Sequence, residues 1–105
     1  MRISQSTKNA VLVRALRNAF NLSQSDLAQA ASTSRPTVNR IESLDQNARL
    51  DTIESLLEVF RSVGVRIEQS EDELILRFPN RALKRAEEEI RKTPRSTPTW
   101  LLTSR

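Results

Sequence analysis

A chain of 105 residues with 37% hydrophobic and 29% charged side chains has the size and make-up of one globular domain, which excludes two full-sized cores. With no Cys and no His, the usual zinc, iron–sulfur, thiol-nucleophile and histidine-base chemistries are excluded, and a single Gly argues against a glycine-rich phosphate loop. The formal charge of +4 is unevenly spread: residues 1–50 hold seven Lys/Arg against three Asp/Glu, residues 51–80 three against seven, and residues 81–105 seven against three. Such a pattern fits a surface that meets a polyanion in one place and a different partner in another, and ordinary solvated helix faces give the same counts.

The N-terminal stretch is polar around Arg2 and Lys8, and the apolar run Ala10 to Val13 is too short for a signal-peptide core or a membrane span. A soluble, cytoplasmic protein is the expectation. From Lys8 to Phe20, Val13, Leu16 and Phe20 recur at helical steps, and Asn21, which tolerates a left-handed backbone, is placed to end the helix. Ser23 with Asp26 three residues on forms a variant capping box, which predicts a short helix through Ala31 with Leu27, Ala28 and Ala31 inward. Ser34 can cap again, and Arg35 to Ser43 returns to helical spacing with Val38 and Ile41 inward and Pro36 in the tolerant first turn.

Asp51-Thr52-Ile53-Glu54 reads as a further capping box, opening a helix with Ile53, Leu56, Leu57, Phe60 and Val63 inward and Gly64 at its left-handed end. The period then changes to two. Val65 and Ile67 alternate with Arg66 and Glu68, Ser70-Glu71-Asp72 can turn, and Leu74, Leu76 and Phe78 alternate again, which predicts a β-hairpin or two strands of which one pairs across a dimer axis. The set Val65, Ile67, Leu74, Leu76 and Phe78 forms a face too apolar to leave exposed in so small a domain, and is therefore expected to dimerise. Pro79-Asn80 stops the strands. Arg81 to Lys92 is rich in helix formers, with Leu83, Ala86 and Ile90 as its sparse apolar positions, and Thr93 to Arg105, with Pro94 and Pro98, reads as a flexible tail. The expected division is 1–64, 65–79 and 80–105.

The informative stretch is Leu22-Ser23-Gln24-Ser25-Asp26-Leu27-Ala28, a turn at Ser32-Thr33, and Ser34-Arg35-Pro36-Thr37-Val38-Asn39-Arg40-Ile41-Glu42. Two short helices joined by a three-residue turn make the helix-turn-helix, in which the second helix enters the DNA major groove. The segment 8–65 resembles the Xre-type family of phage repressors and bacterial regulators, whose pattern runs Leu-Ser/Thr-Gln-x-x-Leu-Ala, turn, Ser-x-x-Thr-Ile/Val-x-x-Ile/Leu-Glu. It departs from that family in Ser32 and Asn21, where Gly is usual or frequent; both are small polar residues suited to turns. The fold expected is mainly α, a lambda-repressor-like bundle followed by the β segment and a C-terminal helix and tail.

Leu16, Leu22, Leu27, Ala28, Val38 and Ile41 are expected in the core. Arg35, Pro36, Asn39 and Arg40 lie on the opposite face of the second helix, and the family pattern makes them base contacts rather than mere solvated positions. Arg pairs bidentately with guanine and Asn with adenine, while Pro36 offers apolar contact only. The resemblance further implies phosphate contacts from Ser23, Gln24, Ser34 and Thr37, and a salt bridge between Arg17 and Glu42 tying the first helix to the recognition helix. An Xre-type unit followed by strands and a short extension resembles HipB-like antitoxins, which dimerise, repress their own operon and hold a kinase toxin. Trp100-Leu101-Leu102 is then the candidate partner anchor, with packing of Trp100 on its own domain as the competing reading. The sequence thus predicts a dimeric repressor of a palindromic double-stranded operator, an antitoxin or a stand-alone phage-type repressor. It predicts no enzymatic activity, cofactor or metal.

Overall fold

Local backbone signals set the element boundaries. The structure, a computed structural model, describes residues 1–92, and Trp100, Leu101 and Leu102 lie outside the described residues. Helix α1 (Gln5–Ala19) opens on Ser4, whose hydroxyl accepts from Thr7 N, so it starts one turn earlier than the apolar stripe indicates. It ends where Asn21 takes φ 56°. Helix α2 (Gln24–Ala30) carries the full capping box: Ser23 Oγ accepts from Asp26 N at 2.9 Å, and Asp26 Oδ2 accepts from Ser23 N at 3.1 Å. Ser32 at φ 56° makes the turn into α3 (Arg35–Glu42), capped by Ser34.

Helix α4 (Leu50–Arg61) corrects one expectation. Its N-cap is Arg49, without a side-chain cap bond, and Asp51 lies inside the first turn, paired at 3.3 Å with Arg49. A carboxylate there still complements the helix dipole, so the acidic residue keeps its electrostatic role and loses its capping one. Gly64 takes φ 109°, and the chain enters a hairpin of β1 (Arg66–Gln69) and β2 (Leu74–Arg77). The strands pair with each other, antiparallel, with Ile67 opposite Leu76 and Gln69 opposite Leu74. Ser70 Oγ accepts from Asp72 N and Glu73 N to shape the turn, and Lys8 Nζ donates to Ser70 O at 2.7 Å, fastening the hairpin tip to α1. Helix α5 (Asn80–Lys92) follows, with Ala82 N and Leu83 N donating to Pro79 O.

One buried cluster holds these elements together. Leu12, Val13 and Leu16 of α1, Leu27 of α2, Val38 and Ile41 of α3 and Leu56, Leu57 and Phe60 of α4 are fully buried. The same cluster continues through Val65 into Ala82 and Ala86, across the boundaries at 64 and 80. Phe20 ties the end of α1 to α4 and to the segment after β2, with its ring centroid 5.5 Å from Phe60 and 6.2 Å from Phe78. Leu22 and Ala31, expected inside, are only half-buried, because each sits in a turn at the edge of a helix end.

On the apolar hairpin face, Val65 is buried, and Ile67, Leu74, Leu76 and Phe78 are partly buried against the chain's own core. On α5 the burial shifts by one residue: Ala82 and Ala86 face inward, while Leu83 and Ile90 stand 50% and 57% exposed. At Gly64 a Cβ would come within 3.2 Å of the Arg81 guanidinium as well as straining a left-handed backbone. Gly64→Ala is expected to lower stability by about 1–2 kcal/mol, read as a lower urea midpoint.

Candidate nucleic-acid interface

Helix α3 divides cleanly into two faces. Val38, Ile41 and Glu42 are buried, whereas Arg35, Pro36, Asn39 and Arg40 are exposed. Spacing accounts for most of the division: positions 38, 41 and 42 lie within one helical stripe and 36, 39 and 40 outside it, while Arg35, which shares the azimuth of Glu42, is exposed as the first residue of the helix. Arg35 makes no hydrogen bond or ion pair among the described residues and projects from the first turn. Arg40 is more restrained. Its Nη2 donates to Thr37 Oγ1 at 3.2 Å, and its Nε lies 4.0 Å from Asp45, a contact worth little at 61% side-chain exposure.

Behind that face stands an ion pair. Arg17 Nε donates to Glu42 Oε2 at 2.7 Å and its Nη2 to Oε1 at 3.0 Å, with the side chains only 15% and 7% exposed. The third guanidinium nitrogen, Nη1, donates to Leu22 O at 3.0 Å, so one arginine holds α3 and also the turn between α1 and α2. Burial by itself pushes the Glu42 carboxyl up, but hydrogen bonds from Arg17 and Gln24 and the positive charges of Arg17 and Arg14 outweigh it and hold the group below its ordinary value.

Gln24 has a role that sequence reading missed. Besides the phosphate contact expected of it, its Nε2 donates to Glu42 Oε1 at 3.1 Å and to Asn39 Oδ1 at 3.4 Å. The buried carboxylate therefore orients Gln24, and Gln24 orients the exposed Asn39. Asn39 keeps its amide N–H groups and a second lone pair on Oδ1, the donor and acceptor that bidentate adenine recognition requires. The only sequence signal for this relay was the position of Gln24 at the first residue of α2. The hydroxyls of Ser23 and Ser34 are committed as helix caps, and Thr37 Oγ1 lies 2.8 Å from Ser34 Oγ. Each hydroxyl retains hydrogen-bonding capacity towards solvent or a phosphate oxygen.

Among the described residues, no group of three or more acidic, His or Cys side chains is arranged to hold a metal ion, and no helix is long and apolar enough to cross a membrane.

A Glu42→Gln substitution leaves Arg17 without its countercharge and is expected to cost about 3 kcal/mol at neutral pH. Because the Glu42 carboxyl titrates lower folded than unfolded, its contribution is complete above the ordinary carboxylate range and is lost as pH falls through the folded value. The gap in urea midpoint between wild type and variant should therefore be full at pH 7 and narrow in acid.

Neither a curated protein sequence nor a solved structure matches the chain. A family model, Helix-turn-helix, matches residues 13–66, from the second half of α1 to the start of β1, and contains every side chain of the relay. The chain thus belongs to the Xre/lambda-repressor-like helix-turn-helix family of DNA-binding transcription regulators.

Proposed function

We propose that the protein is a sequence-specific repressor that acts as a homodimer on a palindromic operator, with α3 as the major-groove reader. The observation that carries this reading is the exposed face of Arg35, Pro36, Asn39 and Arg40 on a helix whose other face is locked to α1 and α2. Arg35 and Arg40 read guanine through O6 and N7, Asn39 reads adenine, and Pro36 gives apolar contact to a thymine methyl. Ser23, Gln24, Ser34 and Thr37 set the register on the phosphates, Gln24 doing so with the hydrogen-bonding capacity left after it has oriented Asn39. Two-fold symmetry in the protein matches half-sites about 34–36 Å apart or a multiple of that.

Regulation of this kind operates in the cytoplasm, and the residues beyond 92 give it a second partner. Trp100-Leu101-Leu102 supplies an apolar anchor that phosphate binding does not need, which supports an antitoxin role with a kinase-type toxin as the captured protein. Recovery of no partner from the native host would favour the stand-alone repressor.

Single alanine variants of Arg35, Asn39 and Arg40 are each expected to lose about 1–3 kcal/mol of specific affinity and to relax preference at one base position. Binding-site selection reads this directly, and an unchanged preference in all three variants would remove α3 as the reader. Removing residues 93–105 should leave the slope of log affinity against log salt unchanged while a co-purifying partner is lost; a slope lower by about one unit per contact would assign the tail to phosphates instead.

A further inference from the structure

An apolar groove runs between α5 and the end of α1. Ala19, Phe78, Leu83, Ala86 and Ile90 line it, and Leu83 and Ile90 are half or more exposed there. Its walls are fixed by contacts of their own: Phe78 stacks on Phe20 at 6.2 Å, and Asn21 Nδ2 donates to Glu89 O at 3.4 Å, tying the end of α1 to α5. Glu87 and Arg91, 3.7 Å apart, form one rim. Single exposed leucines are ordinary, but two large aliphatic side chains flanking one preformed groove make a patch.

We infer that this groove is the seat of the chain's own Trp100-Leu101-Leu102 segment. The inference concerns the free protein and does not require a partner; a protein that captures the tail, as proposed above, must displace it from α5. Position selects this occupant first. Helix α5 ends at Lys92, two residues past Ile90, so the chain leaves the helix beside one end of the groove. Pro94 disfavours a helical residue before it and favours a reversal of direction. Trp100 lies eight residues beyond Lys92. With about three of them spent on the reversal, about five remain, and these reach roughly 16 Å when extended. From Ile90 back to Leu83 the groove follows seven residues of helix, about 10 Å, so the indole can reach any point along it.

Chemistry selects the same segment. Apart from Trp100, Leu101 and Leu102, residues 93–105 are Thr, Ser, Pro and Arg, so this cluster holds the apolar surface of the tail. Burying an indole removes about 150–250 Å² from water, and its N–H then needs an acceptor. The Glu87 carboxylate offers one at the rim, and the Arg91 guanidinium beside it offers a cation to the ring face. The tether decides between this occupant and a separate molecule. Through a short linker the tail meets the groove at an effective concentration in the millimolar range, above that of an unlinked protein present at micromolar levels.

Trp100 is the one tryptophan of the 105 residues, so fluorescence of the full chain, without DNA or partner, reports on the seat directly. Its emission maximum is expected to lie to the blue of that of a peptide of residues 93–105, with iodide quenching several-fold weaker. Neither property should change on dilution from micromolar to nanomolar concentration. Leu83→Asp and Ile90→Asp should each shift the emission to the red and restore quenching with an unchanged far-ultraviolet circular dichroism spectrum. The double variant Leu83→Ala with Ile90→Ala, which keeps good helix formers at hand, should act in the same direction, so the reading survives if an Asp melts α5. Emission and quenching equal to those of the peptide would overturn the proposal. Burial lost on dilution would overturn it by assigning the contact to a second copy, and burial indifferent to every groove variant would overturn it by placing Trp100 elsewhere.

Discussion

The bidentate contact between Arg17 and Glu42 is the interaction on which the arrangement of the first three helices depends. Its energetic value lies less in Coulomb attraction than in what its absence would leave: a largely buried charge without its counterion. Because each guanidinium nitrogen of Arg17 has an assigned acceptor, the pair tolerates only one rotation of α3 against α1. A purely apolar contact between the same helices would permit sliding of the order of a side chain. The polar lock turns an adequate hydrophobic assembly into one with a defined outward face, the definition that the proposed reading of base edges requires.

The order of elements was legible in the sequence because each boundary carries its own local chemistry. Asn21, Ser32 and Gly64 all adopt the left-handed conformations that their types tolerate, and Ser23 and Ser34 cap as their spacing indicates. Asp51 misled because the sequence pattern of a capping box does not say whether the backbone before it is extended; here Arg49 is the extended residue, two positions earlier. Leu44 gave no signal at all. A leucine at φ 71° contradicts its intrinsic preference, and it follows from the tight exit of α3, where Asp45 N reaches back to Arg40 O.

At the site, residue types and periodicity identified which α3 side chains face outward, and the family pattern supplied the ion pair. Periodicity did not reveal that Gln24 connects that pair to Asn39, because the two residues lie on different helices and their meeting depends on how α2 crosses α3. The hairpin face shows a similar limit of pattern. An alternating strand shows that one side wants to be buried, but not whether a second protomer or the protein's own core will cover it. Phe20 ties the end of that hairpin to α4 through two ring contacts remote in sequence.

The relay from Glu42 through Gln24 to Asn39 also bears on how operator preference could diverge among proteins of this design. If Asn39 reads a base as proposed, a new side chain at position 39 would change more than that contact, since it would also remove an acceptor from Gln24. Position 24 would then be free to swing towards the DNA or to disturb the carboxylate behind it. Altered specificity is therefore most accessible through coordinated change at positions 24 and 39, while Arg35, which has no partner among the described residues, is open to independent variation. The recognition face combines one position free to drift with another whose drift is constrained from the interior.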